Sequence, residues 1–141
     1  MNNDLNNILS ISPIDGRYHS KTESLSPYFS EFGLIKYRVF VEVEYFIALS
    51  KLPIETFKKL SEKDRKDIKS IYQNFSHQDA LKVKEIEGEI NHDVKAVEYF
   101  IKNQFDRIGL DKYKEFIHFG LTSQDVNNTA LPIMLKESID S

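Results

Sequence analysis

Residues 28–52 read YFSEFGLIKYRVFVEVEYFIALSKL. The segment holds no proline and one glycine, and Phe29, Phe32, Ile35, Val39, Val43, Phe46 and Leu49 recur at intervals of three or four. That spacing predicts a helix of about six turns with a continuous apolar face. Leu34, Phe40 and Ile47 add a second apolar edge, so more than one face is expected to be buried. Pro53 ends the segment.

The same period recurs further along the chain. Ile54, Phe57 and Leu60 predict a short helix. Ser61, followed at the third position by Asp64, has the form of a capping box. The helix it opens places Ile68, Ile71, Tyr72 and Phe75 inward. Its other face, Lys63, Arg65, Lys66, Asp67 and Lys69, mixes both signs and reads as a solvated face. From Asp79 to Phe105 the apolar positions are Ile86, Ile90, Val94, Val97, Ile101 and Phe105. Gly88 and Asn91 are expected to mark a break there, with Asn91 capping the second piece. A short helix over 112–118 follows, and Thr122 with Asp125 forms another capping pattern. It opens a last helix with Val126, Ala130, Ile133, Met134 and Ile139, in which Pro132 is expected to introduce a kink.

Glycine and proline together make 9 of 141 residues, about half of the roughly 12% of average usage. The expected fold class is therefore all-α. Residues 1–26, with Pro13 inside and Pro27 just after, read as an extended arm. Residues 27–120 form the helical domain, and 121–141 begin a further helix. That helix reaches Ser141 without a cap, which reads as a truncation.

Composition excludes several functions. Lys plus Arg number 19 against 22 Asp plus Glu, a net charge of -3, so no basic excess favours nucleic acid. With no cysteine there is no disulfide, thiolate nucleophile or Cys-ligated zinc. No apolar run nears the roughly 18 residues that span a bilayer. Met1 to Asn7 lack the basic start and apolar stretch of a signal peptide, so a cytoplasmic protein is expected.

Three clusters carry chemistry. In the first, Asp15-Gly16 sets a turn that presents Arg17 and Tyr18. A guanidinium fork beside a phenol suits a phosphate, although an arginine stacked on its tyrosine neighbour satisfies the same residues. In the second, Asn91, His92 and Asp93 stand at a helix start. They serve either as plain caps or as an imidazole and carboxylate turned towards a ligand. In the third, His118 and Gly120 precede Thr122, Ser123, Gln124 and Asp125. Unpaired N–H groups at a helix start, with two hydroxyls, make an anion cradle; ordinary capping explains the hydroxyls equally well. His92 and His118 lie too far apart in sequence to argue a shared metal site.

Taken in order, Ser-Pro-Ile-Asp-Gly-Arg-Tyr (12–18), Asn-His-Asp-Val-Lys-Ala-Val-Glu-Tyr (91–99) and Phe-Ile-His-Phe-Gly-Leu-Thr-Ser-Gln-Asp-Val-Asn-Asn (116–128) resemble the adenylosuccinate lyase family, within the fumarase and aspartase superfamily. The helix carrying residues 29–39 is similar to the same branch. The resemblance implies the N-terminal helical domain of that superfamily, with the first turns of its central bundle. It implies β-elimination of fumarate from adenylosuccinate, giving AMP, and from the succinylated aminoimidazole carboxamide ribotide of purine synthesis. No cofactor or metal is implied; the partners are these small molecules, not nucleic acid or membrane, and a homotetramer is the family's assembly.

Carried over by position, Arg17 and Tyr18 contact the nucleotide phosphate. Asn91, His92 and Asp93 line the nucleotide and succinyl pocket, with His92 a donor near the reacting part. His118 stands at the pocket wall. Thr122 and Ser123 hold a succinyl carboxylate, and Gln124 and Asp125 support their loop. The family's general base, a serine in a Gly-Ser-Ser-x-Met-Pro-x-Lys loop, and its acid, a later histidine, do not occur in these 141 residues. His92 and His118 are therefore expected to support catalysis, and the chain alone is expected to be inactive. A helical interaction module that keeps the domain as a scaffold, or another fumarate-releasing lyase, stands as the alternative. The first long helix is also expected to expose apolar surface.

Overall fold

A computed structural model describes residues 8–141, so the reading of Met1 to Asn7 lies outside the described residues. The fold is all-α, with no strand among the described residues. Three single turns follow residues 8–18: α1 (His19–Thr22), a 3₁₀ turn (Glu23–Leu25) and α2 (Ser26–Phe29). The long α3 (Glu31–Leu49) follows, then a 3₁₀ turn over Glu55–Lys59 and α4 (Glu62–Gln73). After these come α5 (His77–Ile90), α6 (Asp93–Arg107), a 3₁₀ stretch over Asp111–Phe116 and α7 (Ser123–Asp140).

The extended arm expected from the two prolines is not what forms. Residues 12–18 close on themselves through Gly16 N–H to Ser12 O at 3.1 Å and Tyr18 N–H to Pro13 O at 2.9 Å. Pro27 sits in the first turn of α2, where its missing N–H costs nothing and its fixed φ starts the helix. The same two prolines that suggested extension therefore nucleate turns.

α3 begins where Ser30 accepts the Gly33 N–H at 3.1 Å, and it is the axis of the molecule. One face, Ile35, Val39, Val43 and Phe46, packs into the larger core. Phe46 meets Phe105 edge-on at 4.9 Å and Phe57 at 5.7 Å. α4, α5 and α6 supply Ile68, Val83, Val97 and Ile101 to that core. The opposite face, Tyr37 and Val41 with Leu34 and Phe40, packs on Val126, Ala130 and Met134 of α7. Tyr37 also donates to Glu137 at 2.5 Å. Both faces of α3 are therefore covered, and the exposed apolar surface expected on the first long helix lies instead on α7, at Leu131, Leu135 and Ile139.

Capping fixes the register of the helices. Ser61 with Asp64 and Thr122 with Asp125 form reciprocal boxes as their spacing predicts, and Ser76 with Asp79 forms a third that opens α5. α7 continues through Pro132 as one helix. The break between α5 and α6 falls at Asn91, as anticipated, but Asn91 closes α5 in the left-handed region (φ 53°, ψ 38°) while His92 caps α6. Asparagine tolerates that backbone better than most residues, so it ends a helix as readily as it begins one.

The two helical glycines predict opposite responses. At Gly33 an added Cβ would collide with the carbonyl oxygens of Tyr28 and Pro27, whereas at Gly88 it meets nothing within 4 Å. Gly33→Ala is expected to lower stability by about 1–3 kcal/mol. Gly88→Ala, in mid-helix, is expected to raise it by about 0.5–1 kcal/mol. Urea denaturation of both variants checks the contrast.

Candidate functional site

At the head of α6, His92 accepts the Lys95 backbone N–H at Nδ1, 3.1 Å away. A backbone N–H only donates, so Nδ1 is the acceptor and the neutral ring carries its proton on Nε2. His92 is exposed, and that Nε2–H is a donor available to a ligand. Next to it, Asp93 Oδ1 accepts the Val94 N–H at 2.8 Å and Oδ2 pairs with Arg38 at 2.8 Å. Partial burial pushes the Asp93 carboxyl up, but the Val94 N–H and the Arg38 guanidinium outweigh it and hold it below the usual carboxylate range. Asn91, His92 and Asp93 border an open depression of about 510 Å³, shared with Lys84, Glu87 and Gly88.

The third cluster turns sharply before α7. His118 and Gly120 both have positive φ, 60° and 74°. For histidine that backbone costs about 1–3 kcal/mol, and it persists only where surrounding contacts impose it. α3 supplies two such contacts. Glu42 Oε1 lies 2.5 Å from His118 Nδ1, and the Tyr45 hydroxyl donates to Phe119 O at 2.8 Å.

Thr122 caps α7 through the Asp125 N–H, and Asp125 Oδ2 accepts from both the Thr122 hydroxyl (2.7 Å) and its N–H (2.8 Å). Those two bonds hold the Asp125 carboxyl below its ordinary value. A carboxylate of the protein itself therefore covers part of the helix start that the sequence suggests as an anion cradle. The N–H groups of Ser123 and Gln124, in the first turn of α7, have no partner within the helix. The Ser123 hydroxyl likewise has no partner among the described residues, whereas the Gln124 amide is tied to Asn128 at 2.7 Å.

A residue absent from the candidate set connects these two clusters. Arg38 on α3 is only 6% exposed. Its terminal nitrogen holds Asp93 on α6, and its Nε donates to Asn127 Oδ1 on α7 at 2.9 Å. One guanidinium thus fixes α6 and α7 relative to each other. Glu42, one turn further along α3, and Tyr45 beyond it continue the same stripe, between the two apolar faces of the helix. The signal was present as two charges four apart within a run of valines and phenylalanines, where a solvated helix would show more.

The first cluster stands apart. Arg17 lies 4.6 Å over the ring of Tyr18, both are exposed, and neither makes a hydrogen bond or ion pair to the other two clusters. In this chain Arg17 has the stacked arrangement that its neighbour alone satisfies.

The Arg38 bridge has a pH signature. A carboxyl depressed in the folded state contributes stability above its unfolded pKa, about 4, and loses it as pH falls through the lower folded value. Asp93→Asn is therefore expected to lower stability at neutral pH, with the difference shrinking to nothing on acidification below that range. In Arg38→Met the Asp93 carboxyl is expected to titrate at higher pH, read by carboxyl carbon NMR.

The sequence profile of the family described as Lyase matches residues 16–141. The chain is 54% identical over 142 aligned positions to the adenylosuccinate lyase of Dictyostelium discoideum, covering 96% of this chain and 30% of that protein. It is 47% identical to the adenylosuccinate lyase of Legionella pneumophila strain Corby over 92% of this chain and 29% of the relative. Against the adenylosuccinate lyase of Vibrio cholerae the identity is 45%, over 98% and 31%. The chain thus spans about 30% of the length of the curated relatives it matches. With its profile matched from Gly16 to Ser141, the chain belongs to the Lyase family, and within it is similar to adenylosuccinate lyases.

Proposed function

We propose that this chain supplies substrate-binding residues to an adenylosuccinate lyase, which eliminates fumarate from adenylosuccinate to leave AMP and acts likewise on the succinylated aminoimidazole carboxamide ribotide. The observation that carries the reading is the Arg38 bridge, which draws the Asn91–Asp93 cluster and the α7 start into one constellation. The motifs that the sequence ties to this activity are thereby physically coupled. The 54% identity to a relative of that name supports it further.

In the elimination, a base removes a proton from the succinyl carbon beside a carboxylate. Negative charge spreads into that carboxylate, the C–N bond breaks, and the leaving amine takes up a proton, so that atoms and charge balance. Donors aimed at the growing charge lower the barrier most. The Nε2–H of His92 is one such donor. The Ser123 hydroxyl and the first-turn N–H groups of α7 offer others, with Thr122 fixing their position and Asp125 limiting their positive potential. His118 forms part of the wall, and Gln124 supports the loop through Asn128. Arg17 leaves Tyr18 to meet the phosphate when nucleotide arrives.

The acid and base are assigned outside these 141 residues, and the protein is assigned to the cytoplasm as a homotetramer. The exposed Leu131, Leu135 and Ile139 face of α7 supports such an assembly. Among the described residues no helix is long and apolar enough to cross a membrane.

Two assays test the reading. AMP is expected to bind the chain weakly and more weakly still at high salt, and Arg17→Ala is expected to reduce binding about tenfold, measured by calorimetry. No fumarate release is expected from adenylosuccinate with this chain alone. Absence of AMP binding with retention of another succinyl compound points to a different lyase; absence of both points to a scaffold.

A further inference from the structure

Glu42 is fully buried, yet only half of its carboxylate is satisfied: Oε1 meets His118 Nδ1 and Oε2 has no partner. Such a group is expensive to bury, and an apolar side chain of its size would pack in its place without that cost. What it does accomplish is local. It reaches from α3 to the one histidine of the chain whose backbone is left-handed, and it occupies one of the two ring nitrogens.

We propose that Glu42 is a positioning residue: its carboxylate accepts a hydrogen bond from the Nδ1–H of His118, locks the ring, and leaves Nε2 as a bare acceptor for the ligand. The two histidines of the site are then set in opposite tautomers by opposite partners. His92 accepts a backbone N–H at Nδ1 and donates from Nε2; His118 donates from Nδ1 and accepts at Nε2. A bare Nε2 receives an O–H or N–H of the ligand, such as a ribose hydroxyl, and not a carboxylate. This deepens the proposed nucleotide site and rests on that reading for the identity of the ligand.

The other charged groups bearing on the pair are Glu98 of α6, which is neutralised by Lys95 and Lys102, and Asp125 of α7. Burial pushes the Glu42 carboxyl up, with the His118 bond opposing it and Glu98 adding to it, so the ring is examined on the alkaline side.

The experiment is a nitrogen–proton correlation of the histidine rings in the labelled 141-residue chain near pH 8.5, with His118→Asn used for assignment. The expected spectrum has the proton on Nδ1 in His118 and on Nε2 in His92. Glu42→Met is expected to release His118 into a tautomer mixture and leave His92 unchanged, without lowering the thermal midpoint. A purely structural Glu42 would instead lower the midpoint and leave the tautomer as it was, which overturns the proposal. Should that variant fold poorly, the wild-type spectrum still decides, because a proton on Nε2 of His118 overturns the assignment alone. Titration with AMP is expected to shift Nε2 of His118, whereas fumarate is expected to leave it in place; the reverse order overturns the acceptor role. The ligand-free spectrum stands apart from the AMP calorimetry, so failure of the nucleotide reading is distinguishable from failure of Glu42.

Discussion

Arg38 is the constraint on which the rest of the site depends. It is a nearly buried cation with two fixed partners on two other helices, and a planar donor fork allows little play between them. Removing either partner would leave a charge or donor inside without an equivalent, a far larger penalty than losing a surface pair. The half-exposed Asp93 moderates that cost, since water reaches its other side. The bridge therefore does more to define where α6 and α7 start than to raise overall stability, which the two apolar cores supply.

α3 makes this possible because it has three faces and not two. Its apolar sides are each buried in a different cluster, and the polar stripe of Arg38, Glu42 and Tyr45 runs along the seam. A seam between cores is dry enough to strengthen ion pairs, and through Asp93 it reaches the edge of the open depression. The same helix thereby holds the fold together and aims the side chains of two loops it does not belong to.

The all-α class, the helix over α3, the capping boxes at Ser61 and Thr122 and the break near Asn91 were legible from apolar period and capping chemistry, because those are local properties. Asn91 as the end of α5 was not, since an asparagine cap and an asparagine left-handed stop look alike in sequence. The arm read over residues 1–26 misled where it is described, because proline disfavours the helix preceding it but also favours the first turn after it, and tertiary context decides between the two. The motifs identified the loops that carry candidate chemistry, while Arg38, Glu42 and Asn127 were given no role. Their partners lie far away in sequence, and only the packing of α3 against α6 and α7 brings them together. Asp125 was read as a supporting residue, yet its carboxylate also occupies part of the anion position it supports.

The left-handed residue at Asn91 has a consequence for how this chain acquires its shape. With only Asn91 and His92 between α5 and α6, closing one helix on the other fixes very few rotatable bonds, so this antiparallel pair carries almost no loop-closure entropy. A hairpin of that kind assembles from contacts near in sequence, whereas the seam along α3 must wait for distant segments to arrive. The corner at Asn91 to Asp93 that borders the depression thus belongs to a unit closed by contacts near in sequence, while the packing of α3 on α7 is closed only across most of the chain.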